Sequence, residues 1–163
     1  MGARAFLSWG TDPRGSVASL RRAIDAALAA AAEDQVLYVS GPLARMALRL
    51  DDKEALRIAV ESIESTVANW PTASTSAQAA RVAALRDANP ATAAARSAEA
   101  AEQLVGLGHT LEAAETYADA ALLAARADQA NAEWADRAAA LYAECSAVPV
   151  LDVLHASERQ ERV

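Results

Sequence analysis

The chain has 163 residues, of which 46 are alanine, seven aromatic, six glycine and five proline, and it carries a net charge of −7. That length suffices to bury roughly 70% of the unfolded surface without covalent staples, while the lone Cys145 excludes an intrachain disulfide and any zinc site built from cysteine pairs. Residues 1–75 hold eight basic and nine acidic side chains and residues 76–163 hold seven and thirteen, so the second half carries the negative charge and should repel nucleic acid.

Alanine has the highest helix propensity, and so few aromatic side chains leave little material for strands. The expected fold class is therefore all-α. No apolar run is long enough to span a bilayer, and Met1 to Gly10 lack the basic and apolar blocks of a signal peptide. With one cysteine, the chain fits a reducing compartment, and we expect a cytoplasmic protein of one domain over residues 1–163.

Phe6, Leu7 and Trp9 belong to no predicted helix, and residues 1–14 read as an extended or docking segment. Asp12-Pro13 and Ser16 offer start signals for a first helix, in which Val17, Leu20, Ile24, Leu28 and Ala31 follow a spacing of three and four. Val36, Val39, Leu43, Met46 and Leu50 make a second stripe with Pro42 inside it, which predicts a kink or a break. A short strand at Val36–Val39 competes there, since β-branched residues and Tyr38 precede Gly41-Pro42, although it has no partner strand. Asp51 followed by Glu54 resembles a capping box. The helix behind it places Leu56, Val60, Ile63, Val67 and Trp70 on one stripe until Pro71 stops it.

The hydroxyl-rich residues 72–76 read as a link to a weaker helix around 77–88, with little more than Val82 and Leu85 to bury. Asn89-Pro90 reads as N-cap and first-turn proline of a helix that ends at Gly106-Leu107-Gly108. From Thr110 to about Ala127 the pattern is apolar on two sides, Leu111, Ala114, Ala118 and Leu122 on one and Ala113, Tyr117, Ala120 and Ala124 on the other, which predicts a sandwiched helix. Trp134, Ala138, Leu141, Tyr142 and Cys145 form the next stripe, and Pro149 opens a last helix. The count is seven or eight helices. Start signals at Ser16, Asp51, Asn89 and Asp128 are spaced by about one helix hairpin, the pattern of a repeat array in which each hairpin covers its neighbour's apolar face.

The stretch from Gly108 through Glu112-Ala113, Tyr117 and Ala120 resembles the turn and second helix of a tetratricopeptide repeat, while Ala100 and Ala101 stand where that family has Leu-Gly. This resemblance implies a right-handed α-α superhelix. The segment from Asn89 to Leu154 is similar to the helical region of large ATP-binding LuxR-type bacterial transcriptional regulators, which implies a sensory or scaffolding role. Leu154 to Gln160 resembles the opening of the LuxR-type helix-turn-helix, but Glu161 and Arg162 replace the apolar residues expected next, and we read that match as coincidence.

Candidate chemistry is sparse. His109 with Glu112, and His155 with Glu158, have a spacing that puts imidazole and carboxylate on one helical face, yet no third ligand is fixed and helix starts commonly carry acidic residues. Glu112, Glu115 and Asp119 form an acidic row, with Glu99 and Glu102 on the preceding helix; paired carboxylates suit general acid–base chemistry, but a solvated face explains them more simply. Gly106-x-Gly108 follows a helix, the wrong context for a dinucleotide fingerprint. Arg45, Arg49, Lys53 and Arg57 recur every four residues, but a helix end at Asp51 interrupts the row. Trp70 and Trp134 are expected in the core, and Cys145 buried and inert.

We therefore expect no catalytic, cofactor or metal site, and a module that binds a protein partner or an adjacent domain through its concave face. A small-molecule-binding helical bundle is the rival reading, and an enzyme using the acidic rows a distant third. Partner and oligomeric state stay open.

Overall fold

The structure, a computed structural model, describes residues 10–145. Seven helices lie in that range: α1 (Pro13–Ala29), α2 (Glu33–Leu50), α3 (Lys53–Asn69), α4 (Ala73–Ala84), α5 (Pro90–Gly106), α6 (Thr110–Arg126) and α7 (Ala132–Glu144). No strand occurs among the described residues, and Val36–Val39 belong to α2. The helix expected from Pro149, and Phe6, Leu7 and Trp9, lie outside the described residues, whereas Pro13 and Arg14, read as part of an extended segment, open α1.

Side chains of the preceding residues fix most helix starts. The Asp12 carboxylate accepts from the Gly15 N–H at 2.8 Å, Asp52 from Ala55 at 2.9 Å and Asn89 from Ala91 at 2.9 Å, each satisfying a donor that has no partner within its helix. The cap of α3 is thus Asp52 and not Asp51. Residues 72–76, expected as a link, instead start α4: Thr72 and Thr75 cap each other reciprocally, so the hydroxyls that resembled a loop are the helix signal.

Four helices end the same way. Ala31, Asp51, Gly108 and Asp128 have φ of 50°, 52°, 77° and 54°, and the next N–H reaches back to a carbonyl five residues earlier, as from Ala32 to Ala27 at 2.9 Å and from His109 to Leu104 at 2.9 Å. This is the Schellman turn, in which a left-handed residue redirects the chain while satisfying the last carbonyls. Gly108 stands at the expected helix stop, whereas Ala31, placed on the first apolar stripe, lies in the turn after α1.

Pro42 does not break α2, which runs from Glu33 to Leu50. The missing N–H and the ring cost a helix locally, but buried Val36, Val39, Leu43 and Met46 hold both halves against the core, and tertiary burial of an amphipathic face outweighs local propensity.

Turns of two to five residues join helices that pack on each other, so consecutive helices run antiparallel. Next-but-one contacts join α1 to α3 and α2 to α4. The order is compatible with the expected stack of hairpins. One apolar cluster contains Leu20, Ile24, Leu43, Val60, Ile63 and Val82 and reaches Ala93, Leu123 and Ala124; a second contains Leu104, Ala113, Tyr117, Ala120, Leu141 and Tyr142. Trp134 packs against both. Ala55, Ala59, Ala93, Ala101, Ala113 and Ala120 are fully buried, so many helix faces meet through methyl groups that permit close backbone approach. Flanked by α5 and α7, α6 is sandwiched as its two-sided pattern required.

Candidate functional site: an arginine–carboxylate cluster across alternate helices

The acidic row on α6 does not face solvent as a unit. Asp119 is 2% exposed, and its carboxylate accepts from Arg45 Nε at 2.7 Å and, more weakly, from Arg49 Nη2 at 3.5 Å. Glu115, one turn earlier, pairs with Arg45 Nη1 at 2.8 Å and with Arg81 Nη2 at 3.4 Å. Three arginines from α2 and α4 therefore meet two carboxylates from α6, joining residues 74, 70 and 34 positions apart. The expectation of a solvated acidic face is overturned for Glu115 and Asp119. Exposed Glu99 and Glu102 and half-buried Glu112 stand outside the cluster.

Local sequence positions each member. Arg45 and Arg49 lie four residues apart on α2 and so share a face, with Arg45 set between buried Ala44 and Met46. Arg49 Nη1 also donates to the Arg45 carbonyl at 3.1 Å. Arg81 crosses from α4 to α2 at Gly41, where a Cβ would stand 2.1 Å from its Nη2, and its Nη1 donates to the Glu112 carbonyl at 3.4 Å. Gly41 thus gives the guanidinium a berth on the α2 backbone that any larger residue would fill. Lys53 and Arg57, the rest of the basic row, sit beyond the α2–α3 turn; Arg57 is exposed and pairs with Glu54 and Glu61 of its own helix.

Charge is unevenly compensated within the cluster. Burial works to lower the pKa of Arg45, but the carboxylates of Asp119 and Glu115 outweigh it and hold this guanidinium more firmly charged than usual. Arg49 falls below its ordinary value: burial is the main cause, Asp119 opposes it, and the like charge of Arg45 adds to the lowering. Tyr142 of α7 faces the cluster, its phenol raised by burial, with Arg45 opposing and Glu115 and Asp119 reinforcing the shift. Both carboxylates are occupied by guanidinium groups. The arrangement fastens helices together and offers no free base.

A second polar tie joins the last three helices. The Tyr117 hydroxyl of α6 donates to a Glu102 carboxylate oxygen of α5, and Arg137 of α7 acts on the same phenol. Burial first, and then the bond to Glu102, push the Tyr117 pKa up to about 12. His109 does not pair with Glu112; its Nε2 lies 2.9 Å from Ser74 Oγ and links the α5–α6 turn to the first turn of α4. No group of three or more His, Cys, Asp or Glu able to hold a metal ion occurs among the described residues, and His155 and Glu158 lie outside them. Cys145 is half-buried and not buried as expected.

Exposed apolar side chains have a common location. Leu28, Tyr38, Trp70, Leu107 and Leu111 are 48%, 70%, 46%, 40% and 44% exposed. With antiparallel helices, the last turns of α1, α3 and α5 and the first turns of α2, α4 and α6 share one rim; Leu28, Trp70, Leu107 and Leu111 lie in or beside those turns, and Tyr38 lies in the second turn of α2. Trp70, expected in the core, closes α3 at that rim because Pro71 turns the chain there. Trp134 is half-buried and does pack on the core.

Comparison with family models, with curated proteins and with solved structures finds no match to the chain. No helix among the described residues is long and apolar enough to cross a membrane.

Sequence reasoning missed the cluster because it examined each charged row alone. The available signal was a pair of rows of opposite sign with the same four-residue spacing, Arg45/Arg49 and Glu115/Asp119, each on a helix already assigned an apolar face. Each row places its two charges on one helical face, from which the long arginine side chains of α2 reach the carboxylates of α6.

Proposed function

We propose that the chain is a non-catalytic protein-interaction module of stacked, tetratricopeptide-like helix hairpins, with a sensory or scaffolding role like that of the helical region of LuxR-type regulators. The observation that carries this reading is that Leu28, Trp70, Leu107 and Leu111, at helix ends on one side of the antiparallel array, and Tyr38, a turn further into α2, are exposed. Scattered surface hydrophobics are ordinary, but a shared rim of large apolar and aromatic side chains is what protein partners use as anchors. The ion cluster supports the same reading, since it ties α2, α4 and α6 together and keeps the rim residues in fixed relative positions.

The test is a Tyr38→Ala, Trp70→Ala, Leu111→Ala variant. These side chains are largely exposed, so each change should alter stability by only about 0.5 kcal/mol. The parent chain should retain a specific protein in affinity capture and the variant should lose it, with unchanged circular dichroism. Equal retention by both proteins refutes the rim. Capture of nothing, together with a metabolite that raises Tm, moves the assignment to the small-molecule binder.

A further inference from the structure

Within the cluster, Arg45 takes the two short contacts, at 2.7 and 2.8 Å, and leaves the other guanidinium groups with carboxylate contacts of 3.5 Å for Arg49 and 3.4 Å for Arg81. Three cations face two anions, and both anions are committed first to Arg45. The Arg81 side chain is 6% exposed, whereas that of Arg49 is 14% exposed, the most accessible of the three guanidinium side chains. Arg126 follows Asp119 by seven residues, on the same face of α6, and adds an exposed cation toward the end of the stack at which α2 finishes. Of the acidic groups at that end, Asp52 is engaged by the Ala55 N–H and Glu54 by Arg57, while Asp51, Asp128 and Glu133 are exposed in or beside the turns.

We propose that the Arg49 edge of the cluster is a binding site for an oxyanion, a phosphate or carboxylate group taken by the guanidinium that Asp119 and Glu115 leave under-compensated. The physical reason is that a partly buried cation whose counter-ion stands 3.5 Å away, and whose other nitrogen has the Arg45 carbonyl at 3.1 Å, has its lost hydration only partly replaced. An incoming oxyanion restores the missing charge and accepts two parallel N–H bonds from the planar fork, the strongest form of this contact. The lowered pKa of Arg49 agrees with that shortfall. This site does not depend on the rim or on any protein partner, so it stands or falls separately from the proposed interaction role.

The probe is inorganic phosphate, titrated by calorimetry and thermal unfolding at fixed ionic strength into the parent chain, Arg49→Gln and Arg49→Lys. The parent should show saturable binding, with Tm raised by about 3–6 °C at ten times the dissociation constant. Arg49→Gln should bind at least tenfold more weakly, and Arg49→Lys, which keeps charge but loses the fork, should fall between. A non-saturating rise of equal size in all three proteins is the general stabilising action of phosphate and overturns the proposal, as does saturable binding that Arg49→Gln leaves unchanged. A competition arm with hexaglutamate identifies the source: displacement of phosphate assigns the site to peptide carboxylates, and retention assigns it to free oxyanions.

Discussion

Replacing Asp119 by asparagine keeps the shape of the side chain and removes its charge at the best-buried point of the cluster. Asp119 is 2% exposed and accepts from Arg45 at 2.7 Å and Arg49 at 3.5 Å, so solvent screening that weakens surface pairs does not apply. Removing one partner of a buried pair costs about 3–5 kcal/mol, chiefly because the remaining charge is left uncompensated. Asparagine can still accept from Arg45 Nε, and Glu115 still faces Arg45 Nη1, which places the expected loss near the low end, about 3 kcal/mol. For a domain of this size each kcal/mol lowers Tm by about 2–4 °C, so the variant should melt about 6–12 °C lower. Scanning calorimetry on the parent, Asp119→Asn and the exposed control Glu99→Gln measures this, the control moving by less than about 0.5 kcal/mol. A loss below about 1 kcal/mol for Asp119→Asn would class the contact with surface ion pairs and refute the view that it fastens α6 to α2.

Three further predictions follow from the same geometry. Gly41→Ala gains up to about 1 kcal/mol of helix propensity, but its methyl group would stand 2.1 Å from Arg81 Nη2; we expect a net loss of about 1 kcal/mol in the parent and a net gain once Arg81→Ala has emptied the berth, and the same sign in both backgrounds contradicts the placement of Arg81. Ala31 holds φ 50° without the freedom of glycine, so Ala31→Gly should stabilise by about 1 kcal/mol, and a destabilised variant in chemical denaturation argues against the left-handed turn. The Tyr117 pKa is raised from 10.0 to about 12, meaning that the fold favours the neutral phenol; its contribution is whole below pH 10 and is lost as pH climbs toward 12. Phenolate absorbance should therefore show a component ionising near pH 12 that Tyr117→Phe removes while the raised Tyr142 phenol remains, and a titration that Tyr117→Phe leaves unchanged in that range contradicts the Glu102 bond.

Helix identity was legible wherever a local signal governs it. Asp12-Pro13 and Asn89-Pro90 mark helix starts that the structure confirms, and Gly108 marks a turn whose geometry requires a left-handed residue. Misreadings arose where distant packing decides. Of the kink or break that Pro42 suggested, the break does not occur, because local rules count the lost hydrogen bond and not the four apolar side chains that press α2 onto the core. Trp70 fell on an apolar stripe, but a stripe is a direction around a helix and says nothing of where the neighbouring helix ends. The candidate cluster was legible only in parts: Arg45 and Asp119 are 74 residues apart, and no periodicity within either helix reveals that their charged faces meet.

The account rests on α2 and α6 meeting through Arg45 and Asp119, and a double-mutant cycle with Arg45→Met and Asp119→Asn measures that meeting directly. Unfolding of the parent, both single variants and the double variant in urea gives the coupling energy. We expect about 2 kcal/mol or more, the double variant losing less than the sum of the single losses because the short 2.7 Å contact is then removed from both sides, leaving only Arg49, at 3.5 Å in the parent, beside residue 119. Losses that add to within about 0.5 kcal/mol are the behaviour of residues that do not touch, and that result would contradict the side-chain tie between α2 and α6 on which the site depends.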